Sequence, residues 1–139
     1  MKNEPLVFER TYKAHVSKVW AALTDPEKMK HWYFDIPEFR PEIGTEFSFE
    51  AGTATKRYIH ECKVTKAIPN KVIAYTWRYP DVEGNSEVSF ELFEEGDETR
   101  LVLTHSGLET FPQNGDYAKS NFVGGWTHFT GALGEFLKK

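Results

Sequence analysis

The feature that most constrains this chain lies near its C-terminal end. Phe122, Trp126, Phe129, Leu133, Phe136 and Leu137 follow one another at intervals of 4, 3, 4, 3 and 1. At about 100° per residue these side chains form one broad stripe, and the pattern predicts a helix over roughly 116–138. Gly124, Gly125, Gly131 and Gly134 fall on its flanks or back. Each glycine weakens a helix by ~1 kcal/mol relative to alanine. Such a helix holds only if its aromatic stripe packs against a large apolar surface.

The rest of the chain supplies that surface as strands. Residues 6–14 alternate, with Leu6, Phe8, Arg10, Tyr12 and Ala14 on one face. Five more strand candidates follow. Phe47 and Phe49 alternate with Glu46, Ser48 and Glu50. Residues 57–68 are extended but of ambiguous phase, as a bulge would make them. Ile73, Tyr75, Trp77 and Tyr79 share a face, as do Val88, Phe90 and Leu92, and then Leu101, Leu103 and His105. Turn signals stand between them at Pro69-Asn70, Glu83-Gly84-Asn85 and Glu95-Gly96-Asp97. Gly107 to Gly115 reads as a loop.

Two short helices interrupt the strands after the first. Val16, Val19, Trp20 and Leu23 have helical spacing over 16–24. Asp25, Pro26 and Glu27 then suit a cap, a first turn and the positive end of a second helix over roughly 26–31. The order predicts an α+β domain: a six-stranded, curved antiparallel sheet gripping a long C-terminal helix, with two short helices closing one end. At 139 residues the chain is expected to form one domain over 1–139.

Composition narrows the function. The net charge is -4 and no segment concentrates lysine and arginine, which argues against a nucleic-acid partner. The single cysteine, Cys62, excludes an internal disulfide and a cysteine-based metal cluster. Met1-Lys2-Asn3-Glu4-Pro5 lacks the apolar run of a signal peptide, and no stretch reaches the ~20 residues of a membrane span, so no membrane insertion and a cytoplasmic location are expected. Ser86, Ser89 and Ser106 lack a nucleophile-elbow context, and Gly124-Gly125 lies within a helix rather than after a strand. No cofactor is expected. What stands out is 11 Phe, 6 Tyr and 4 Trp, more rings than a small sheet–helix sandwich needs to fill it.

The chain also resembles a known family. Arg10-Thr11-Tyr12-Lys13-Ala14 leads into Val19-Trp20-Ala21-Ala22-Leu23-Thr24-Asp25-Pro26-Glu27. His31-Trp32, Tyr75-Thr76-Trp77, Thr99-Arg100-Leu101, Thr104-His105-Ser106-Gly107-Leu108 and Gly125-Trp126 follow in order across nearly the whole chain. In these it resembles the homologues of the activator of heat shock protein 90 ATPase, in the START-like, helix-grip superfamily that includes the birch pollen allergen. His15 stands where family members often carry proline. The resemblance implies the helix-grip fold and an internal cavity, and it fixes no single function.

Two polar residues fall on inward rows. Arg10 could reach into the cavity and bind a carboxylate, or pair elsewhere, or pass out at the sheet edge. His105 could serve as a cavity hydrogen-bond partner or general base, or hold the loop at Ser106-Gly107. His60, Glu61 and Cys62 match no metal-ligand spacing, so no metal is expected and His60 is read as a surface or pleat residue. His15, His31 and His128 are expected to face water. The expected ligand-binding set is Arg10, Trp32, Phe34, Phe49, Tyr75, Trp77, Phe90, Leu103, His105, Trp126, Phe129 and Leu133.

These residues point to binding of a small hydrophobic or amphipathic molecule, lipid-like, aromatic or polyketide-like, between sheet and helix. One alternative is a cavity enzyme of the cyclase, dehydratase or hydrolase kind with His105 or Tyr75 as acid/base. Another, suggested by the family name, is interaction with a chaperone, for which the acidic balance offers no obvious patch.

Overall fold

The structure is a computed structural model that describes residues 4–52, 57–113 and 117–138. The expected loop end at Gly115, the expected helix start at 116 and the first three residues lie outside that range. The elements run β1 (Leu6–Tyr12), α1 (Val16–Thr24), α2 (Pro26–Met29), β2 (Glu46–Gly52), β3 (Arg57–Ile68), β4 (Val72–Trp77), β5 (Ser86–Glu95), β6 (Glu98–Ser106) and α3 (Lys119–Leu137), with a 3-10 turn at Leu108–Thr110. All six strands form one sheet in the order β1-β6-β5-β4-β3-β2. Every pairing is antiparallel. The helix-grip architecture read from the sequence is the one observed.

The ambiguous phase of residues 57–68 has a physical origin. The β3–β4 register shifts between Val64 and Lys66. Before the shift His60, Cys62 and Val64 are buried on one row, facing the same interior as Phe47 and Phe49 of β2. Opposite the irregular stretch, Lys63 N–H donates to the Thr76 hydroxyl at 2.9 Å, a side chain replacing a backbone acceptor. Such a bulge bends the strand and strengthens its twist, which carries the β2–β3 end of the sheet around α3.

The helices are tied down by hydrogen bonds that cross between elements. Tyr12 Oη donates to the Thr130 carbonyl of α3 at 2.8 Å. Thr99 Oγ1 donates to the Ala14 carbonyl at 2.8 Å, and Trp32 Nε1 to the Ala22 carbonyl at 2.8 Å. Lys18 Nζ donates to the Leu137 carbonyl at 2.8 Å, satisfying an end of α3 that its own turns leave open. His15, the departure from the family pattern, starts α1 by accepting from Ser17 N–H through Nδ1 at 3.2 Å. It does as a side-chain cap what proline does by fixing φ.

Two glycines bring the β4–β5 turn against the segment after β6. Gly84 has φ 119° and Gly107 φ 84°. A Cβ on Gly84 would lie 2.6 Å from the Thr110 carbonyl oxygen, and one on Gly107 2.7 Å from that of Asn85. Only glycine accepts both the backbone angle and the approach. The contact seats Ser86 beside His105.

Candidate functional site

A pocket of about 340 Å³ opens between the N-terminal half of α3 and the β2–β3–β4 side of the sheet, lined by Ala51, Tyr58, His60, Tyr79, Asn121, Phe122 and Gly125. None of these carries a formal charge when His60 is neutral. Gly125 contributes an open wall, since a Cβ there would meet nothing within 4 Å.

His60 is the central residue. It is 6% exposed, which corrects the reading of it as a surface or pleat residue. The hidden bulge is why alternation could not be phased onto it. Its ring stacks on Phe49 at 4.5 Å and 6°, with Trp77 edge-on at 5.1 Å and Tyr79 tilted at 4.9 Å. Its Nδ1 is buried without a hydrogen-bond partner. Burial lowers the ring's pKa to about 4, and the Phe49 and Tyr58 backbone acceptors beside the ring oppose this. The imidazole is therefore neutral at physiological pH. Among the described residues no group of three or more His, Cys, Asp or Glu is placed to hold a metal.

Tyr79 closes the pocket beside it. Trp77 Nε1 donates to Tyr79 Oη at 2.9 Å, so the hydroxyl keeps its own proton to donate. Burial pushes this phenol up to about 12, so it stays protonated. Tyr117 meets both Tyr79 at 4.8 Å and Tyr58 at 5.6 Å.

Behind this wall lie most of the expected ring residues, packed against each other. Phe34 stacks on Phe49 at 4.3 Å and meets Phe129 at 4.9 Å. Trp77 and Trp126 meet at 5.6 Å, and Phe90 and Trp126 at 5.9 Å. Trp32, Leu103 and Leu133 are buried parts of the same core. None of the residues expected to form the site lines the pocket itself. Phe49 and Trp77 touch it through His60, and His105 through Phe122 at 5.3 Å.

Three expectations change on geometry. Arg10 has the inward phase, opposite the fully buried Leu101, yet it is exposed. β1 is an edge strand, so the long side chain passes beyond the sheet rather than into it. His105 is fully buried with both ring nitrogens engaged, to Trp126 Nε1 at 2.9 Å and to Ser86 Oγ at 2.8 Å. Burial lowers its pKa to about 3. A neutral ring with no free nitrogen is a poor general base. Tyr75 is 2% exposed and its hydroxyl bonds to that of Tyr33 at 2.6 Å. Burial raises both phenols far above their ordinary value, which removes Tyr75 as a ready proton acceptor.

The expectations for the three other histidines agree with the structure. His15, His31 and His128 are exposed. No helix among the described residues is long and apolar enough to cross a membrane.

Comparison with known proteins places this geometry. Residues 13–138 match the family model described as Activator of Hsp90 ATPase homolog 1-like protein. No match is found among curated proteins. The solved structure of MLL2253 from Mesorhizobium loti is similar at 26% identity and a TM-score of 0.76, over 96% of each chain. CalU16 from Micromonospora echinospora is similar at 26% identity and a TM-score of 0.75, over 96% of this chain and 75% of that one. DynU16, a protein of the dynemicin biosynthetic locus, shares the fold at 20% identity and a TM-score of 0.80, over 98% of this chain but only 48% of its own. With a fold that grips its C-terminal helix and a family model spanning nearly all its length, the chain belongs to the Activator of Hsp90 ATPase homolog 1-like protein family, of the START-like, helix-grip kind.

Proposed function

We propose that the protein binds a small hydrophobic or amphipathic molecule in the cleft between sheet and α3, entering through the pocket at His60, Tyr79 and Gly125. The observation that carries this reading is an uncharged, ring-walled pocket of about 340 Å³, within the ~300–1,000 Å³ of small-molecule sites. Packed rings stand directly behind it, so an apolar body meets apolar surface while Tyr79, Asn121 and His60 offer polar contacts.

The enzyme reading draws less support, because His105 and Tyr75 spend their polar atoms on other residues. Native mass spectrometry of freshly purified protein, set against the denatured mass, tests the binding reading. A reproducible added mass that Gly125→Trp abolishes supports it. An added mass unaffected by that substitution moves the ligand elsewhere. A bare protein that also fails to take up any ring-bearing probe argues against it.

A further inference from the structure

We propose that Tyr58, Tyr79 and Tyr117 form an aromatic cage for a methylated ammonium group, with Asp81 as its countercharge. This site goes beyond the binding reading above: it takes a cation, and it does not depend on what enters the larger pocket.

The cage is a separate recess of about 140 Å³ that the three tyrosines line together. Tyr58 comes from the start of β3, Tyr79 from just past β4 and Tyr117 from just before α3. Tyr117 meets Tyr79 at 4.8 Å and 61°, and Tyr58 at 5.6 Å and 84°. The rings thus stand in steeply crossed planes about one space rather than stacked on one another. A cavity of ~150 Å³ holds one benzene-sized guest, and a trimethylammonium group has comparable bulk. Tyr58 and Tyr79 also line the larger pocket, whereas Tyr117 and Asp81 line the recess alone.

The sign of the guest follows from the lining. Aromatic faces are negative and attract a cation within ~6 Å of the ring centre. Around them stand two carboxylates, Glu50 and Asp81, against one guanidinium, Arg57, which leaves one negative charge. Arg57 is held by Glu50, Nε to Oε1 at 3.1 Å. Asp81 is exposed and pairs with no cation among the described residues.

The methyl groups follow from the rings. A bare ammonium is compact and strongly hydrated, and tyrosine faces replace that hydration poorly. A methylated ammonium holds its water weakly and spreads its charge over C–H surface that packs on rings. Aromatic cages recognise quaternary ammonium groups in this way.

The experiment is NMR titration of the full chain with choline, with its neutral carbon analogue 3,3-dimethylbutan-1-ol, and with ammonium. Choline should bind about tenfold more tightly than either of the others. Tyr117→Leu, which keeps apolar bulk but removes a ring face, should weaken choline about threefold to fivefold, and Tyr117→Phe should not. Asp81→Asn should weaken choline and leave the alcohol unchanged, with a smaller effect at high salt. Gly125→Leu, which alters only the larger pocket, should leave choline binding as it is. Equal affinity for choline and the alcohol overturns the cation, and equal affinity for ammonium overturns the methyl groups. Choline binding that survives both Tyr117→Leu and Asp81→Asn unchanged overturns the cage, as does no choline binding at all. None of these results bears on the larger pocket, whose own test is the added mass lost in Gly125→Trp. Should Tyr117→Leu not fold, the exposed Asp81→Asn and the three probes on the native protein still decide. Cosedimentation with phosphatidylcholine vesicles that choline competes away assigns the group to a lipid head. Choline binding without cosedimentation assigns it to a small soluble cation, and either result upholds the cage.

Discussion

Trp126 Nε1–H donates to His105 Nδ1 at 2.9 Å, and this contact fixes the histidine's chemistry. A nitrogen that accepts carries no proton, so His105 bears its proton on Nε2 and donates to Ser86 Oγ, which in turn donates to the Trp77 carbonyl at 2.7 Å. The chain joins α3, β6, β5 and β4, and every member is satisfied. Trp126→Phe removes the donor and strands a buried acceptor, so it should destabilise the protein by ~1–3 kcal/mol in urea unfolding at neutral pH. Nitrogen NMR should find the His105 proton on Nε2. A proton on Nδ1, or an unchanged unfolding midpoint, would contradict the network.

The two buried histidines also set an acid limit. Both folded-state pKa values lie below the unfolded value of ~6.5, near 4 for His60 and 3 for His105. As pH falls below ~6.5 the unfolded chain takes up protons first, so stability is full above that value and is lost below it. The loss stops only as pH passes the folded values. Each histidine should cost ~2 kcal/mol between pH 7 and pH 5. Denaturant unfolding at both pH values should therefore show a loss smaller by that amount in His60→Phe. An equal loss in variant and native protein would mean that His60 is not held neutral.

Gly125 tests the pocket without touching the core. Its missing Cβ faces open space, and the residue lines the pocket. Gly125→Leu should gain up to ~1 kcal/mol of helix propensity and project a side chain into the opening. The expected outcome is a protein as stable as the native one, or more so, that has lost ligand uptake. Retained uptake at full stoichiometry would place the binding site elsewhere.

Arg10 should be dispensable for binding. Its side chain leaves the sheet at an edge, and its positive charge opposes the effect of burial on the Tyr12 phenol. Arg10→Ala should leave the affinity of every probe unchanged, anionic ones included. A selective loss for 2-naphthoate would restore the arginine to the site.

How much of this was legible in the sequence depended on whether periodicity was intact. The aromatic stripe of α3 and the alternation of β1, β4, β5 and β6 carried the fold, because each row kept one phase from end to end. Arg10 shows the limit of phase: alternation gives the direction of Cβ, while a long side chain on an edge strand goes where the charge is hydrated. His105 was identified as an inward polar residue, but its partners Trp126 and Ser86 come from other elements, and no spacing along the chain announces them. His60 was lost because the register shift between Val64 and Lys66 breaks the period-two count within its own strand. Placing that bulge first would have put His60 in line with Cys62 and Val64. Tyr58, Tyr79 and Asn121 became site residues only through tertiary contact around the open wall at Gly125.

The glycines of α3 divide by what stands opposite them, and the division predicts opposite outcomes for one substitution. At Gly124 a Cβ would meet nothing within 4 Å, so Gly124→Ala should stabilise the protein by up to ~1 kcal/mol through helix propensity alone. At Gly134 a Cβ would sit 3.2 Å from Tyr12 Cε1. The ring cannot easily withdraw, because its hydroxyl is held by the Thr130 carbonyl at 2.8 Å and the residue is buried. The gain in propensity at Gly134 is therefore opposed by displacement of a fixed ring, and overpacking of that kind costs ~1–3 kcal/mol. Gly134→Ala should leave stability unchanged or lowered. Adding Tyr12→Phe, which frees the ring from its hydrogen bond, should shrink the penalty of Gly134→Ala. Thermal unfolding of the single and double variants measures the coupling. Additive effects would mean that the Tyr12 ring and the Gly134 backbone do not constrain each other.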